Sequence, residues 1–570
     1  MTVRQFHLLG AEADENVSLD LTGSEEVDDL RQDLAGMFSI CDAKTITFHN
    51  AAGTEILGTT KAILEQDRDI GLKVSGKKVR SPYGPREIPF VGHHFEIYPD
   101  HLGNHDRLFE RYGSVIKTVN MGNTIYLTND PHVSEVVLSE SPYFTKTSSD
   151  PNHPLYFLHD NRALFMCDSS SPAFGISHKF IPPSLAPRAV RRYTGDIQRC
   201  VEESFSVFDE LDKRDKAFNV YQYMFKVAGQ IIYRVVLGLD VGHFATVDTP
   251  PHEIIRLLGE FMHLMKRTSL QPPWYRHLPF GMHRRLVRVR ERIFGLTEEA
   301  MGQAATTGDG GDLPMHEAAL QASCIADYLR RATDERGEKL PQEYRLTNTV
   351  SMLGAGFVTS ASLLSWLVYS LTHYDGCQER LLQELVDHGP AEATEGTATW
   401  DYDVITSMPF LDAFVKETHR MHNPSFQTAR NTRTDVVVPG GWRLPAGAVV
   451  IPPFPSLHKN PAYWENPARF DPDRWLAGGS GDWGGKKSDP RGHRMAFTPF
   501  AAGPRGCIGY NLATLEAKLA IAHLVYRYEF VNASREPIEY DPEFLVIRPL
   551  NLYARARHRG TWPSKSVAEK

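Results

Sequence analysis

Apolar residues in this chain recur mostly three and four positions apart, the spacing of a helix with one buried face. That pattern predicts helices over residues 105–113, 196–211, 220–239, 253–267 and 376–388. The uncharged run VSMLGAGFVTSASLLSWLVYSL, 350–371, has the nominal length of a bilayer span. It lies mid-chain and is dotted with serine, threonine and glycine, so a buried core helix is predicted. Alternating runs are fewer: GSVIKTVN (113–120) and NTIYLTND (123–130) predict one strand pair, and DVVVPGGWRLPAGAVVIPP (435–453) predicts another. The first 76 residues follow a different plan. RQFHLLG and NVSLDLT predict strands paired around AEADE, and SEEVDDLRQDLAGMFSI an amphipathic helix with an acidic first turn. TITFHN-AAG-TEIL predicts a second hairpin, and AILEQDRDIGLKVSG closes the unit.

This strand–strand–helix–strand order is similar to ubiquitin-like β-grasp modules. A small α+β domain is therefore expected over 1–76, either a docking module for a partner or an extension packed on the main domain. A linker rich in proline, glycine and basic residues follows over 77–88, then a mainly α domain with small β-sheets over 89–570. Of the 570 residues 41% are hydrophobic, enough core for one large domain or two unequal ones. The net charge of -8 gives no electrostatic support for a nucleic-acid partner. MTVRQFHLLGAEADENVSLD lacks the features of a secretory signal, and no membrane anchor follows it. Six scattered cysteines fit a reducing compartment, so a soluble cytoplasmic protein is expected.

One of those cysteines stands in a loop of its own, FTPFAAGPRGCIGYNLATLEAKLA, 497–520. Cys507 follows Arg505 and precedes a helical run, where unpaired backbone N–H groups and the helix dipole favour a negative sulfur. Such a sulfur suits a soft metal or a nucleophile. Zinc requires further ligands at short spacing, but Cys41, Cys167, Cys200, Cys324 and Cys377 are scattered and no CxxC exists. A nucleophile needs a histidine close in space, which the sequence leaves open. Phe500, Gly503, Arg505, Cys507 and Gly509 spell F-x-x-G-x-R-x-C-x-G, and on this motif the chain resembles the cytochrome P450 family. The resemblance implies a P450 fold and haem b held by Cys507 as axial thiolate, which pushes electron density onto iron and favours O–O cleavage. It also implies glycines that let backbone approach the porphyrin and an Arg505 that neutralises a propionate.

Four further stretches match the family in order. FVKETHRMH sets Glu417 and Arg420 one helical turn apart, and ENPARFDPDRW supplies Arg474, with Trp475 where phenylalanine is commoner; the cluster is expected to be structural. In RNTRTD, Arg430 occupies the position that reaches a propionate. SPAFGISHKFIPPSLAP is similar to the helix that meets the other propionate, with Phe174 in place of tryptophan and His178 at the basic position. GAGFVTSAS aligns with the oxygen-activating stretch, where a glycine and a threonine bonded back to a carbonyl are expected to open a bulge. Thr359 would deliver protons to the distal oxygen, but Val358 stands where a carboxylate is usual, so the proton must come by water, Ser360, another side chain or the substrate.

The wording of 160–187 and of RPLNLYARARHR looks closest to self-sufficient fatty-acid hydroxylases, yet no flavin domain follows before Lys570. A separate NADPH-dependent flavoprotein reductase is therefore expected, with Lys486, Lys487, Arg491 and Arg494 as one candidate contact. The early strand lacks the arginine that holds a fatty-acid carboxylate in those enzymes; Arg162 or Arg267 is the alternative anchor. Aromatic, proline-rich segments at 150–160 and 268–281 suit a bulky apolar ligand, and MHRRLVRVRER (282–292) reads as a solvated helix face. The expected function is an O2-dependent monooxygenase acting on an apolar small molecule, a secondary-metabolite intermediate or a fatty acid. The alternatives are a reductase-independent peroxygenase, isomerase or nitric oxide reductase, prompted by Val358, and a non-enzymatic haem sensor or adaptor.

Overall fold

Alternation of side chains sets the first sheet. The computed structural model describes residues 2–566 apart from 12–15, 51, 57, 67–68, 159, 273, 276–277, 279, 308–309, 391–395, 427 and 477–491. Phe6 and Leu8 face inward from β1 (Thr2–Leu8) while Gln5 is exposed. β1 pairs antiparallel with β2 (Asn16–Leu21), and α1 (Val27–Met37) packs Leu30 and Leu34 into the same apolar cluster. β3 (Ile46–His49) pairs antiparallel with β4 (Asp69–Val74), which runs parallel to β1, giving the order β2-β1-β4-β3. The expected second hairpin shrinks to one bridge between His49 and Glu55. β3 pairs with β4 instead, because that register buries both Ile46 and Phe48.

The chain forms two compact units. The first comprises residues 1–156, 427–460 and 493–506, and the second 157–426, 461–492 and 507–570. In the first unit lie β5 (Val115–Asn120), β6 (Asn123–Thr128), β7 (Phe144–Thr145), β8 (Arg430–Thr432), the hairpin β9 (Val436–Val438) and β10 (Trp442–Leu444), and β11 (Val449–Ile451). The predicted strand stretch at 435–453 divides: β9 and β10 pair with each other, whereas β11 joins a five-stranded sheet in the order β5-β6-β11-β8-β7. The hairpin takes backbone partners from the N-terminal segment on both edges. Ser39 and Cys41 exchange hydrogen bonds with Val437 at 2.9 and 3.1 Å, and Arg80 bonds Gly441 and Arg443, each at 2.9 Å. Val79 and Val437 complete the apolar cluster of the N-terminal sheet, and the Arg80 guanidinium stacks 3.7 Å over the Trp442 ring.

The second unit is built on α2 (Val220–Leu237), α3 (Glu253–Ser269), α4 (Gln342–His373), α5 (Pro409–Met421) and α6 (Tyr510–Arg527). The helix expected over 196–211 is two, Thr194–Glu202 and Phe205–Lys213, parted at Ser204, whose hydroxyl donates back to the Val201 carbonyl. Among the described residues α4 alone is long and apolar enough to cross a membrane, and 67% of its apolar window is buried. Gly356 of α4 permits the contact with α2, since a Cβ there would lie 2.6 Å from Ile232. Residues 282–292 are not simply solvated. Arg285 binds Glu260 at 2.7 Å, Arg292 binds Glu253 at 3.0 Å and Arg290 binds Asp160, tying this helix to its neighbours.

Candidate active site

Burial divides the cysteines. Cys167, Cys200, Cys324 and Cys377 are buried and Cys41 half-buried, and burial pushes the thiols of Cys41 and Cys200 up to about 12. Cys507 is the exposed one, two residues before the Gly509 N-cap of α6. The sequence led us to expect a niche favouring thiolate. In the protein alone the balance goes the other way: surrounding atoms desolvate the solvent-reachable sulfur and raise its pKa, against one lowering hydrogen bond from the Gly509 backbone. A ligated metal cation reverses that balance outright.

The other motif residues fall into place unit by unit. In the first unit the loop at 498–506 is held by Gly503, at φ +71, where a Cβ would run into the Leu138 carbonyl; Phe500 and Arg505 are half-buried. Arg430 is wholly buried on β8. Its Nη1 donates to the Ala429 carbonyl at 2.9 Å and to Thr428 Oγ1 at 3.1 Å. Its Nε lies 3.3 Å from Glu140 Oε1 without the alignment of a hydrogen bond, and among the described residues Nη2 has no partner. Burial lowers its pKa to about 10, Glu140 opposes that shift, and Arg505 adds repulsion. Two neighbouring guanidiniums, one buried and incompletely paired, form a site for an anion.

In the second unit α4 presents Ala355, exposed, with Gly356 and Thr359 half-buried in an otherwise buried stretch. Thr359 Oγ1 donates to the Ala355 carbonyl at 2.7 Å, the back-bond expected, yet the helix continues through the position without the expected bulge, because the carbonyl has a second lone pair for the ladder. Val358 is 2% exposed and faces the core. Leu258 and Met262 of α3 approach Gly354, and Phe225 of α2 stacks edge-on against Phe357 with centroids 4.6 Å apart, so the surroundings of this stretch are apolar. Phe174 is half-buried beside an exposed His178, with ring centroids 5.3 Å apart.

Glu417 gathers the expected cluster. Arg420 Nε and Nη2 reach its two oxygens at 2.9 and 2.8 Å, Arg474 Nε lies at 3.1 Å, and Trp475 Nε1 donates at 2.9 Å. Glu417 and Arg420 are wholly buried, as befits a structural core. The two proposed carboxylate anchors are otherwise placed. Arg162 makes two hydrogen bonds of 2.9 Å to Asp160, which fixes its fork, and Arg267 points to solvent from the end of α3. Of the basic candidates for a reductase contact, Lys486, Lys487 and Arg491 lie outside the described residues, and Arg494 pairs with Glu135.

Sequence reasoning missed Glu140, opposite Arg430, and Glu516 of α6, whose Oε2 accepts the Ser360 hydroxyl at 2.9 Å. Glu516 is buried with Oε1 unpartnered among the described residues, and burial raises its pKa to about 8. The signal was present: Glu516 is the one acid within the helical run NLATLEAKLAIAHLVYR.

The profile of the cytochrome P450 family matches residues 82–554. The chain belongs to the cytochrome P450 family. This P450 is 51% identical over 568 residues to the cytochrome P450 monooxygenase alnD of Emericella nidulans, a match covering 99% of this chain and all of that relative. It therefore includes residues 1–81, which lie outside the family match. Leukotriene-B4 omega-hydroxylase 3 of Mus musculus is 31% identical over 229 residues, 40% of this chain and 41% of that protein. The heme domain of cytochrome P450DA superposes with a TM-score of 0.72 at 22% identity, covering 84% of this chain and 98% of that one, which shows the shared fold. This P450 is a monooxygenase whose cofactor is cysteine-ligated haem iron and whose family uses O2 and typically a redox partner. The donor set fits that cofactor: one exposed sulfur, and a buried arginine whose Nη2 has no partner among the described residues, beside a second arginine.

Proposed function

We propose that Cys507 is the axial thiolate of the haem, and that Arg430 and Arg505 bind a propionate while His178 and Phe174 serve the other. The observation that carries this reading is the exposure of Cys507 against five buried or half-buried cysteines. When bound, the haem iron supplies the activation of dioxygen. The protein supplies the surroundings: Thr359 orients a hydrogen bond at the exposed turn of α4, and apolar Leu258, Met262 and Ile232 pack against Gly354 and Gly356 of the same helix. With Arg162 committed to Asp160 and Arg267 in solvent, an apolar, uncharged substrate fits better than a fatty acid held by its carboxylate. The likeness to a leukotriene hydroxylase supports hydroxylation as the reaction. A secondary-metabolite intermediate has this chemistry, electrons arrive from a separate NADPH-dependent flavoprotein, and the burial of α4 supports a core helix.

Replacing Arg430 by leucine is expected to speed haem loss about ten- to hundredfold, the loss of one charged hydrogen bond at about 1.5–3 kcal/mol. Transfer of haem to an excess of apomyoglobin measures it; an unchanged rate removes Arg430 from the site.

The N-terminal module we read as a β-grasp-like brace on the β9–β10 hairpin rather than a detachable docking module, because one edge of that hairpin takes its partners from Ser39 and Cys41 of the module and the other from Arg80, in the linker that follows it. Its amides then open with the rest of the first unit. In hydrogen exchange of the intact protein, Cys41, Arg80, Val437 and Arg443 are expected to match the β1 and β4 amides within about tenfold. Exchange of these four at far higher rates, with β1 and β4 still protected, would make the module an independent domain.

A further inference from the structure

The proton that oxygen activation consumes has no obvious source on α4, because Val358 is buried and carries no acid. A buried acid meets α4 from another helix. Glu516 of α6 is 1% exposed, contacts Ser360 at 2.9 Å, and keeps Oε1 unpartnered among the described residues. Ser360 is the residue after Thr359 and is itself 5% exposed, so this contact is sealed from bulk water. Among the described residues no charged side chain compensates Glu516; desolvation is the dominant influence on it and Ser360 its one hydrogen-bond partner, so burial favours its neutral, protonated form.

We infer that Glu516 is the buried acid of this P450, a positioning and proton-supplying residue that acts through Ser360 on Thr359 and takes the role of the carboxylate absent at position 358. This rests on the placement of Thr359 in the proposed function. Across the 2.9 Å contact the Ser360 hydroxyl donates to Glu516 Oε2; when the hydroxyl rotates away, the O–H of the neutral acid donates to Ser360 Oγ over the same contact. That frees the serine hydrogen for a water on the Thr359 side. As that hydrogen passes to the water, the water gives up a proton of its own toward Thr359, and the O–H bond of Glu516 breaks while a new one forms on the serine oxygen, so serine and water end unchanged and Glu516 alone ends as a carboxylate one proton short. The carboxylate left behind is disfavoured by its burial and recovers a proton from solvent before the next turnover.

The test uses the full-length haem-loaded protein and the isosteric Glu516→Gln, which keeps the shape and a hydrogen bond to Ser360 but has no proton to give. The first readout needs no turnover. The wild-type infrared spectrum is expected to contain a buried carboxylic-acid C=O band that shifts in D2O and is missing in Glu516→Gln. The second is oxygen consumption driven by a chemical reductant in H2O and D2O. Glu516→Gln and Ser360→Ala are each expected to slow it about tenfold with a larger solvent isotope effect, and the double variant no further than either single one. Absence of the acid band, or a Glu516→Gln rate and isotope effect equal to wild type, overturns the inference. Thr359→Ala separates the two readings. If it slows oxygen consumption while Glu516→Gln does not, the inference falls alone; if it has no effect, the placement of Thr359 falls and the relay with it.

Discussion

Glu417→Ala is expected to unfold the second unit under conditions where the wild type is fully native. Its carboxylate is the shared acceptor for Arg420, Arg474, the Trp475 indole and the Asp471 backbone N–H, the last at 2.8 Å. Removing it leaves two guanidiniums without their anion, Arg420 wholly buried and Arg474 nearly so. Breaking one buried pair in this way costs about 3–5 kcal/mol, and here a second cation and two neutral donors are stranded with the first. That approaches the whole stability of an ordinary domain, about 5–15 kcal/mol. Glu417→Gln keeps the shape and part of the hydrogen bonding, so it should fall between. Urea unfolding followed by tryptophan fluorescence gives the order wild type, Gln, Ala. An alanine variant within about 1 kcal/mol of wild type contradicts the account, because surface pairs alone behave so.

The second large effect is chemical. Cys507→Ser changes one atom of a solvent-reachable side chain, so the fold should survive, yet the enzyme should lose the thiolate that pushes electron density onto iron. The expected result is a folded protein with wild-type far-ultraviolet dichroism, monooxygenase activity lower by about a thousandfold or more, and an altered haem spectrum. Cys377→Ser is the control. That thiol is buried and pushed up to about 11, so its substitution touches packing and leaves the haem spectrum alone. Loss of the thiolate spectrum in Cys377→Ser, with Cys507→Ser unaffected, would reverse the assignment.

What the sequence revealed was whatever is local. The helical period located α2 and α3 to within two residues, and α4 at its C-terminal end although that helix begins earlier, at Gln342, and the glycine-bounded motif around Cys507 picked out the one exposed thiol. The Glu417, Arg420 and Arg474 cluster was legible because two of its members sit one turn apart and the third in a recognisable stretch. Long-range pairing left no such trace. Nothing local marks Ile40 as the bridge partner of Val437, or sends 449–451 to β6 rather than back to its own hairpin. The same holds for Arg162: its neighbour Asp160 was visible in the sequence, but the bidentate geometry that withdraws it from substrate binding was not. Glu516 shows the converse. A charged residue inside an apolar helix is a visible anomaly, and its meaning depended on Ser360, far away in the chain.

The central claim is that the sulfur of Cys507 holds the haem iron. X-ray absorption at the iron edge of the purified full-length protein tests it most directly, alongside the Cys507→Ser variant. The account predicts one sulfur scatterer at a bonding distance in the wild type and none in the variant. A wild-type spectrum with only nitrogen and oxygen neighbours, or a sulfur that persists in Cys507→Ser, contradicts it.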